Sequence, residues 1–522
     1  MKKQTNLWVR HLVAALTALL MFGGGAGGAA ASDFSSNISF SFADDNLLKD
    51  AGETRKNSPN AYFGQVPSSA LDRLEPSQFR RSSSLLTLKK PFEADATLSP
   101  EGALLVRFSP DSNGNYALAD FGSYLAVRYL WDKANKGSAT LSFLPVDSDR
   151  FRLGRNWDIS WGGSNTFPRN FRKGMVPGAK LDVTYGPVSA FLGAKTALIR
   201  SPSETVLDNP GGNTNQLVER AYYAGLAGVS VQLPAGVTAA LHGAVFQKGT
   251  NTRATVLGKP ITAAGGTAIL GYATGAKVGD RMDIRLYYED PTVNPLTPVA
   301  GLYDGDFGFE AGLEGTMLIQ TLEDPSQNHS TVNETSRAGA ASAGLRVGRL
   351  RTHLTLVMRD LTFILFNVPG LVPYQALPAN TEVQPELFGQ LSADYFFPRP
   401  GLTFGLSGGL LRPATYEATV QGSTYSGPYA SQMAKGIHKL VVRGANSGDW
   451  SILPAGMDEE LVGMFRADLK WNLGTAFSLL AEVSYTYDPN LAQVFLNDMG
   501  HAERLFDEPN AVGVGLVGEM VF

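Results

Sequence analysis

Apolar and polar residues alternate with a period of two along many stretches of this chain, most clearly towards its C-terminus. In the segment 461–471 every second residue is apolar or small, while the positions between include Arg466, Asp468 and Lys470. The segment 476–487 alternates in the same way. Such alternation predicts β-strands with one apolar face, and these strands are about twice the usual 5–6 residues. A strand of that length crosses a bilayer at a tilt.

Sixteen segments carry this pattern, and the connections alternate between short turns and long polar loops. The predicted strands are 122–131, 138–146, 178–186, 188–198, 219–233, 236–248, 268–277, 281–290, 307–320, 336–347, 350–361, 385–396, 401–411, 461–471, 476–487 and 511–522. The strand at 307–320 stands between two complete hairpins, so another strand is expected near 291–304 or 322–335. A further one is expected in the N-terminal part, with 103–108 as the candidate. The pattern predicts an all-β fold, a transmembrane antiparallel up-and-down β-barrel of 16–18 strands.

The polar faces of these strands are predicted to point into the barrel. A basic group on the lipid face costs roughly 2–4 kcal/mol near the bilayer midplane, whereas a barrel of this size encloses an aqueous channel. Both signs of charge interleave on the inward face, so many of these groups are expected to pair across strands and to keep the interior wet. The residues predicted to line the lumen are Arg281, Asp283, Arg285, Glu310, Glu314, Arg351, Arg359, Arg466, Asp468, Lys470 and Glu482.

Composition excludes several kinds of function. The 522 residues include 44 Lys and Arg, 48 Asp and Glu, and no Cys, which gives a formal net charge of −4. This balance provides no bulk attraction to nucleic acid, so no nucleic-acid partner is expected. A chain without Cys has no disulfide, thiolate metal site or cysteine nucleophile. No cofactor is expected.

The order of residues at the N-terminus predicts a cleaved signal peptide at 1–31. A basic start precedes an apolar run at 12–22, and small residues follow up to Ala31. The run is too short for a membrane-spanning helix. Residues 32–120 are more polar and less regular. The alternatives for them are a periplasmic extension, a plug that enters the barrel, or additional early strands. We interpret them as an extension or plug with the first barrel strand or strands at its end. The barrel itself is predicted to occupy 121–522.

The chain resembles the outer-membrane porins of Gram-negative bacteria. The resemblance rests on the N-terminal signal pattern, the absence of Cys, the alternating strands and the closing segment GVGLVGEMVF, which ends at Phe522. It implies a location in the cell outer membrane, contact with outer-membrane lipid, and diffusion of small polar solutes. It also implies that Phe522 acts as an assembly signal for the barrel-assembly machinery, and that a homotrimer is the expected oligomer.

One irregular segment, 150–173, is rich in basic and aromatic residues. We hypothesise that it folds into the lumen and narrows the channel, with Arg groups creating a positive field and aromatic faces contacting solutes. The alternative is an extracellular loop whose aromatic residues pack on its own base. The residues assigned to constriction or solute contact are Arg150, Arg152, Arg155, Trp157, Trp161, Arg169 and Arg172.

Two short motifs point to enzymes, but their contexts are unsuitable. Residues 513–518 match G-x-G-x-x-G, yet the chain continues as a strand where a dinucleotide site requires a helix. Asn328, His329 and Ser330 have the residue types of a hydrolase triad, but adjacent residues in a loop do not converge as one. No catalytic, cofactor-binding or metal-binding residue is therefore assigned.

The function predicted from these features is a porin, a passive diffusion channel for small hydrophilic solutes through a charged aqueous lumen. A second interpretation is a plugged barrel that serves as an adhesin, receptor or assembly scaffold through the loop 412–460. A third is a barrel-embedded hydrolase of lipase or protease type. The solute and the charge selectivity stay open.

Overall fold

The fold is seen in a computed structural model that describes most of the chain between residues 35 and 521. The described residues are 35–44, 46–48, 81–93, 96–110, 116–120, 122–146, 148, 151, 153–155, 159, 177–202, 217–251, 256–276, 278, 307–324, 326–327, 329–365, 377, 381–420, 436–442, 450–454, 456–474, 477–496 and 502–521. The predicted signal peptide and Phe522 lie outside them.

Strands dominate the described residues. They are β1 (Ser35–Asp44), β2 (Arg81–Lys90), β3 (Leu98–Pro110), β4 (Tyr116–Asp120), β5 (Tyr124–Asp132), β6 (Gly137–Leu144), β7 (Gly178–Tyr185), β8 (Val188–Pro202), β9 (Leu217–Gln232), β10 (Val237–Thr250), β11 (Pro260–Gly275), β12 (Phe307–Glu323), β13 (Thr331–Val347), β14 (Leu350–Arg359), β15 (Val383–Gln384), β16 (Glu386–Phe397), β17 (Leu402–Arg412), β18 (Ala414–Val420), β19 (Gly436–Val442), β20 (Trp450–Ile452), β21 (Val462–Asn472), β22 (Phe477–Tyr487), β23 (Ala492–Leu496), β24 (Ala502–Phe506) and β25 (Asn510–Val521). A five-residue helix spans Leu361–Leu365.

Nineteen of these strands form one antiparallel sheet that closes on itself. β1 pairs with β2 on one side and with β25 on the other, so the first and last strands join. β4 and β5 both pair with β3, at opposite ends of it. Together they therefore count as one position in the ring. The closed ring therefore has eighteen places, which confirms the predicted fold class.

Fifteen of the sixteen predicted strands coincide with barrel strands. The sixteenth, 281–290, lies outside the described residues, and β11 pairs directly with β12, so the ring closes without it. The region 322–335 supplies the end of β12 and the start of β13, which form one hairpin, rather than an additional strand. The barrel strands that the pattern did not identify in full are β1, β2, β3 and β4, and all four come from the segment 32–120.

Surface polarity is inverted relative to a water-soluble protein. Large apolar side chains such as Leu192, Leu241 and Leu391 are exposed on the outside of the wall. Charged side chains such as Arg346 and Arg466 are almost completely buried inside it. The alternating faces predicted for β12, β21 and β22 are those observed. An apolar exterior around a closed hydrogen-bonded ring is what lipid requires of a spanning sheet.

Aromatic residues are concentrated near one end of this apolar wall, where the strands are joined mostly by short turns. The exposed members are Tyr129, Trp131, Tyr185, Tyr272, Phe307, Tyr395, Phe397, Phe404 and Trp471. The indole of Trp471 donates a hydrogen bond to the carbonyl oxygen of Pro400 at 3.2 Å, so its ring is held at a turn. Amphipathic rings in this position suit the boundary between lipid and water. We call this the short-turn end and its opposite the long-loop end.

Loops at the long-loop end build a second, smaller layer. β15, β18, β19 and β20 form a four-stranded sheet, called here the loop sheet. Its apolar side packs on the helix Leu361–Leu365 through Tyr416 and Leu440. On β19 the Lys439 ammonium donates to Asp458 at 2.7 Å and to Glu459 at 2.9 Å, which raises the pKa of Lys439 above its usual value.

Candidate functional site

The connection between β6 and β7 enters the barrel. Its described residues Phe151, Leu153 and Ile159 are buried, and Leu153 and Ile159 have no exposed surface. They belong to one apolar cluster with residues from β9–β14, β16, β17 and β21, which lie around most of the wall. A loop packed on its own base outside the barrel would not reach those strands. We call the described residues Phe151, Leu153–Arg155 and Ile159 the inserted loop.

Polar side chains on three separate strands hold the backbone of the inserted loop. Lys195 on β8 donates to the carbonyl oxygen of Phe151 at 2.8 Å. The amide of Gly154 donates to His242 Nδ1 on β10 at 3.1 Å, and the amide of Arg155 donates to Glu314 Oε2 on β12 at 3.1 Å. An irregular segment buried inside a barrel needs such partners because its amides and carbonyls lack a ladder.

Aromatic packing fixes the first residue of the inserted loop. Phe151 lies edge-on to Phe191, which in turn lies edge-on to His242, with centroid separations of 6.0 and 5.3 Å. The Lys180 ammonium is 5.0 Å from the Phe191 centroid. A Cβ at Gly193 would come within 2.3 Å of the Phe151 ring, so this glycine provides the space that the ring occupies.

Arg155 carries the exposed charge of the inserted loop. Its side chain is 46% exposed, and its Nη2 lies 4.0 Å from Oε2 of Glu310, whose side chain is 21% exposed. A Cβ at Gly312 would lie 2.7 Å from the Arg155 guanidinium. The absence of a side chain at this position of β12 therefore makes room for the arginine. The arrangement presents one positive and one negative group side by side in the lumen.

A second segment reaches the same region from the short-turn end, at Val278 in the connection from β11 to β12. Val278 is fully buried. Its amide donates to Oε1 of Glu310 at 2.9 Å, and its carbonyl oxygen accepts from Arg351 Nη1 at 3.2 Å. A Cβ at Gly344 would lie 3.0 Å from Val278 Cγ1. Strands β12, β13 and β14 therefore form a seat for Val278.

Charged residues form a cross-strand row near the short-turn end. Arg346, Arg351, Asp394, Asp468 and Glu482 follow one another through the register, with Gly405 between the two aspartates. Arg351 Nε lies 2.9 Å from Asp394 Oδ1, and neither side chain is exposed. Arg466 lies beside the row, with Nε 3.0 Å from Asp468 Oδ1. Alternation predicts the direction of these side chains correctly, but it does not predict that they are covered and paired rather than facing open water.

The residues assigned from the sequence divide into those the structure places and those outside the described residues. Eight of the predicted lumen residues lie on inward positions: Glu310, Glu314, Arg351, Arg359, Arg466, Asp468, Lys470 and Glu482. Arg281, Asp283 and Arg285 lie outside the described residues, as do Arg150, Arg152, Trp157, Trp161, Arg169 and Arg172. Of the predicted constriction residues, Arg155 is the one described, and it lies inside the barrel.

Sequence reasoning missed the partners of the inserted segments, which are Lys195, His242 and Val278. Lys195 and His242 occupy inward positions of their strands, so combining strand parity with residue type could have identified both. Val278 is a single apolar residue after a strand, and nothing in its local sequence distinguishes it from an ordinary turn residue.

The motifs that resembled enzyme sites have structural roles. Residues 513–518 form part of β25, between β22 and β1. The Ser330 hydroxyl donates to the carbonyl oxygen of Gln327 at 3.1 Å, and the carbonyl oxygen of His329 accepts from Lys259. Within the described part of the chain, no group of three or more His, Asp or Glu residues is arranged to hold a metal ion.

No family model and no curated protein sequence matches the chain. Solved structures of Pseudomonas aeruginosa OccK/Opd outer-membrane porins align with 94% of it. OccK11 (OpdR) gives a TM-score of 0.43 at 11% identity over 95% of that chain. OccK3 (OpdO) gives 0.41 at 11% over 96%, and OccK2 (OpdF), in complex with glucuronate, gives 0.43 at 10% over 98%. Because these TM-scores are below 0.5, the similarity carries no argument about the class of this protein. The class is assigned from the features of the barrel.

The barrel defines that class through its closure and its surface. Its ring has eighteen places, an apolar belt with an aromatic border outside, and charged side chains inside. These features are those of a multi-pass transmembrane β-barrel of the porin type, the class that occupies the outer membrane. Among the described helical residues, none belongs to a helix long and apolar enough to span a bilayer.

Proposed function

We propose that the protein is a porin, a passive diffusion channel for small hydrophilic solutes. The observation that carries this proposal is the inward set of charged and polar side chains on a closed ring of eighteen places. A ring of that size is wide enough to enclose a channel. Diffusion through it involves no covalent step, so we propose no enzymatic activity.

The inserted loop is the proposed constriction. Phe151, Leu153 and Ile159 anchor it by burial, and Arg155 presents a half-exposed guanidinium beside Glu310. Fixed charges at a narrow point set the permeability of a channel to ions. We propose that Arg155 opposes cation entry there, together with the predicted residues Arg150, Arg152, Arg169 and Arg172. Trp157 and Trp161 are proposed to contact solutes.

Conductance in planar lipid bilayers tests this function. Purified, detergent-folded wild-type protein is expected to give stepwise currents. Arg155→Ala is expected to raise the unit conductance and to shift the cation-to-anion permeability ratio towards cations by roughly two- to fivefold. The reason is that a unit charge a few Å from an ion in water changes its energy by about 0.5–1 kcal/mol.

Arg399→Ala is the matched control, because Arg399 lies exposed in the short turn between β16 and β17. Arg399→Ala is expected to change the permeability ratio by no more than about 10%, since the charge of Arg399 is at the mouth of the barrel and is screened by salt. A wild-type protein that folds and inserts but carries no stepwise current contradicts the porin proposal.

A plugged barrel that acts as an adhesin, receptor or scaffold is the second candidate. The observation that favours it is the burial of inward charges: the side chains of Arg351 and Asp394 have no exposed surface, and Arg466 and Lys470 are nearly covered. Charges covered in this way do not line open water. Absence of current from folded protein, together with binding of the loop region 412–460 to a cell surface or protein ligand, would support this candidate.

A further inference from the structure

Glu310 lies between two inserted segments that enter the barrel from opposite ends. Its Oε1 accepts the Val278 amide at 2.9 Å, and its Oε2 lies 4.0 Å from Arg155 Nη2. Arg155 comes from the long-loop end and Val278 from the short-turn end. One carboxylate on β12 therefore contacts both.

Each of the two segments also has an anchor that the other lacks. Glu314 accepts the Arg155 amide at 3.1 Å, whereas Arg351 donates to the Val278 carbonyl oxygen at 3.2 Å. Bare backbone accommodates each segment, with Gly312 beneath the Arg155 guanidinium and Gly344 beside the Val278 side chain. Glu310 is the described group that the two seats share.

We propose that Glu310 is a positioning residue that holds both segments and so sets the geometry of the constriction. The inference rests on the proposed channel function and assigns the constriction two parts rather than one. The carboxylate has two separable roles. Its charge balances the Arg155 guanidinium, and its Oε1 keeps Val278 in its seat.

Two substitutions separate these roles in bilayer recordings. Glu310→Gln keeps an oxygen acceptor for the Val278 amide but removes the charge opposite Arg155. It is expected to shift permeability towards anions about two- to fivefold while the unit conductance stays steady. Glu310→Ala removes both functions, so it is expected to shift selectivity equally and also to raise the conductance, with fluctuation between levels.

A disulfide tests the seat of Val278 independently of any current. The distance of 3.0 Å between a Cβ at position 344 and Val278 Cγ1 matches the roughly 3.0 Å that separates a Cβ from the far sulfur in a disulfide. The chain has no cysteine of its own, so Val278→Cys with Gly344→Cys gives one defined pair. We expect rapid oxidation with Glu310 present. We expect oxidation to be about tenfold slower with Glu310→Ala. Loss of the hydrogen bond to a charged acceptor lowers the population in which residue 278 occupies its seat by about this factor.

The locked protein then distinguishes the two roles. With the disulfide formed, the Glu310→Ala variant is expected to have the same conductance as the disulfide-locked protein that keeps Glu310. Its selectivity is expected to stay shifted, because the charge of Glu310 is still absent. Reduction of the disulfide should return the conductance to that of unlocked Glu310→Ala. Each single cysteine variant controls for the substitutions themselves. Asp132→Asn, which removes a negative charge at the short turn between β5 and β6, controls for net charge.

The results separate this inference from the channel proposal. Equal oxidation rates with Glu310 and with Glu310→Ala, or wild-type conductance and selectivity in folded Glu310→Ala, overturn the positioning role. If the wild type carries no current but oxidation still depends on Glu310, the porin proposal fails and the positioning role is supported.

Discussion

At the scale of single residues, burial decides how much each lumen charge contributes to stability. Arg351 and Asp394 are paired at 2.9 Å with neither side chain exposed, whereas Lys180 and Asp182 are paired at 2.8 Å with 20% and 35% of their side chains exposed. Removing one partner of a buried pair leaves an uncompensated charge away from water. A partly exposed charge that loses its partner is rehydrated instead.

Asp394→Asn is therefore expected to lower the free energy of unfolding by about 3–5 kcal/mol. Asp182→Asn, the matched control, is expected to lower it by less than about 1 kcal/mol. Urea unfolding of the barrel in lipid vesicles, followed by tryptophan fluorescence, measures both. Equal losses in the two variants would show that water reaches Arg351 and Asp394 as readily as Lys180 and Asp182.

Residue type and strand parity together predict many residues of the candidate site. Glu310 and Glu314 were predicted to face inward because their neighbours on β12 are apolar or small, and they contact inserted segments there. Their partners were not predictable, because contact between Glu310 and Val278 depends on how a whole connection folds back. Periodicity gives the direction of a side chain and does not give what meets it.

At the scale of elements, the loop sheet shows how a long-loop connection becomes ordered. Tyr416 on β18 pairs in register with Val383 and Leu440, and it packs against the helix Leu361–Leu365. Burial raises the pKa of the Tyr416 hydroxyl to about 12. The segment 412–460 was predicted as one polar loop, because β18 and β19 have only seven residues each, fewer than a strand needs to cross a bilayer.

The raised pKa makes the loop sheet sensitive to alkali. Below pH 10 the Tyr416 hydroxyl is protonated in both the folded and unfolded states, so its ionisation changes nothing. Between pH 10 and 12 mainly the unfolded chain ionises, so the stability of the sheet falls across that window. The difference titration between wild type and Tyr416→Phe, read from phenolate absorbance, is expected to have its midpoint near pH 12. A midpoint near pH 10 would mean that the Tyr416 ring is open to water.

At the scale of the whole molecule, local pattern predicts strands but not their places in a ring. The segment 281–290 alternates as clearly as 461–471, yet β11 and β12 pair directly and the ring closes without it. β1 was not recognised because no charged residue stands between Ser35 and Ala43, so it lacks the interleaved charges that mark a strand such as 461–471. β3 contains Pro100 and Glu101, which weaken its strand signal. Closure between β1 and β25 joins residues almost 480 positions apart, and no window of sequence reports it.

The closure between β1 and β25 can be tested by substitution, because residues 35–44 form either a barrel strand or a periplasmic extension and the two alternatives predict different results. Ser39 is paired with Leu85 on one side and with Glu519 on the other, so β1 has no free edge. Proline there removes a backbone donor and strains a strand that is flanked on both sides. Ser39→Pro is expected to abolish the compact, heat-modifiable band that folded barrels give in gels. Ser39→Ala, which keeps the donor, is expected to fold as the wild type does. If residues 35–44 formed a periplasmic extension instead, both variants would fold equally well.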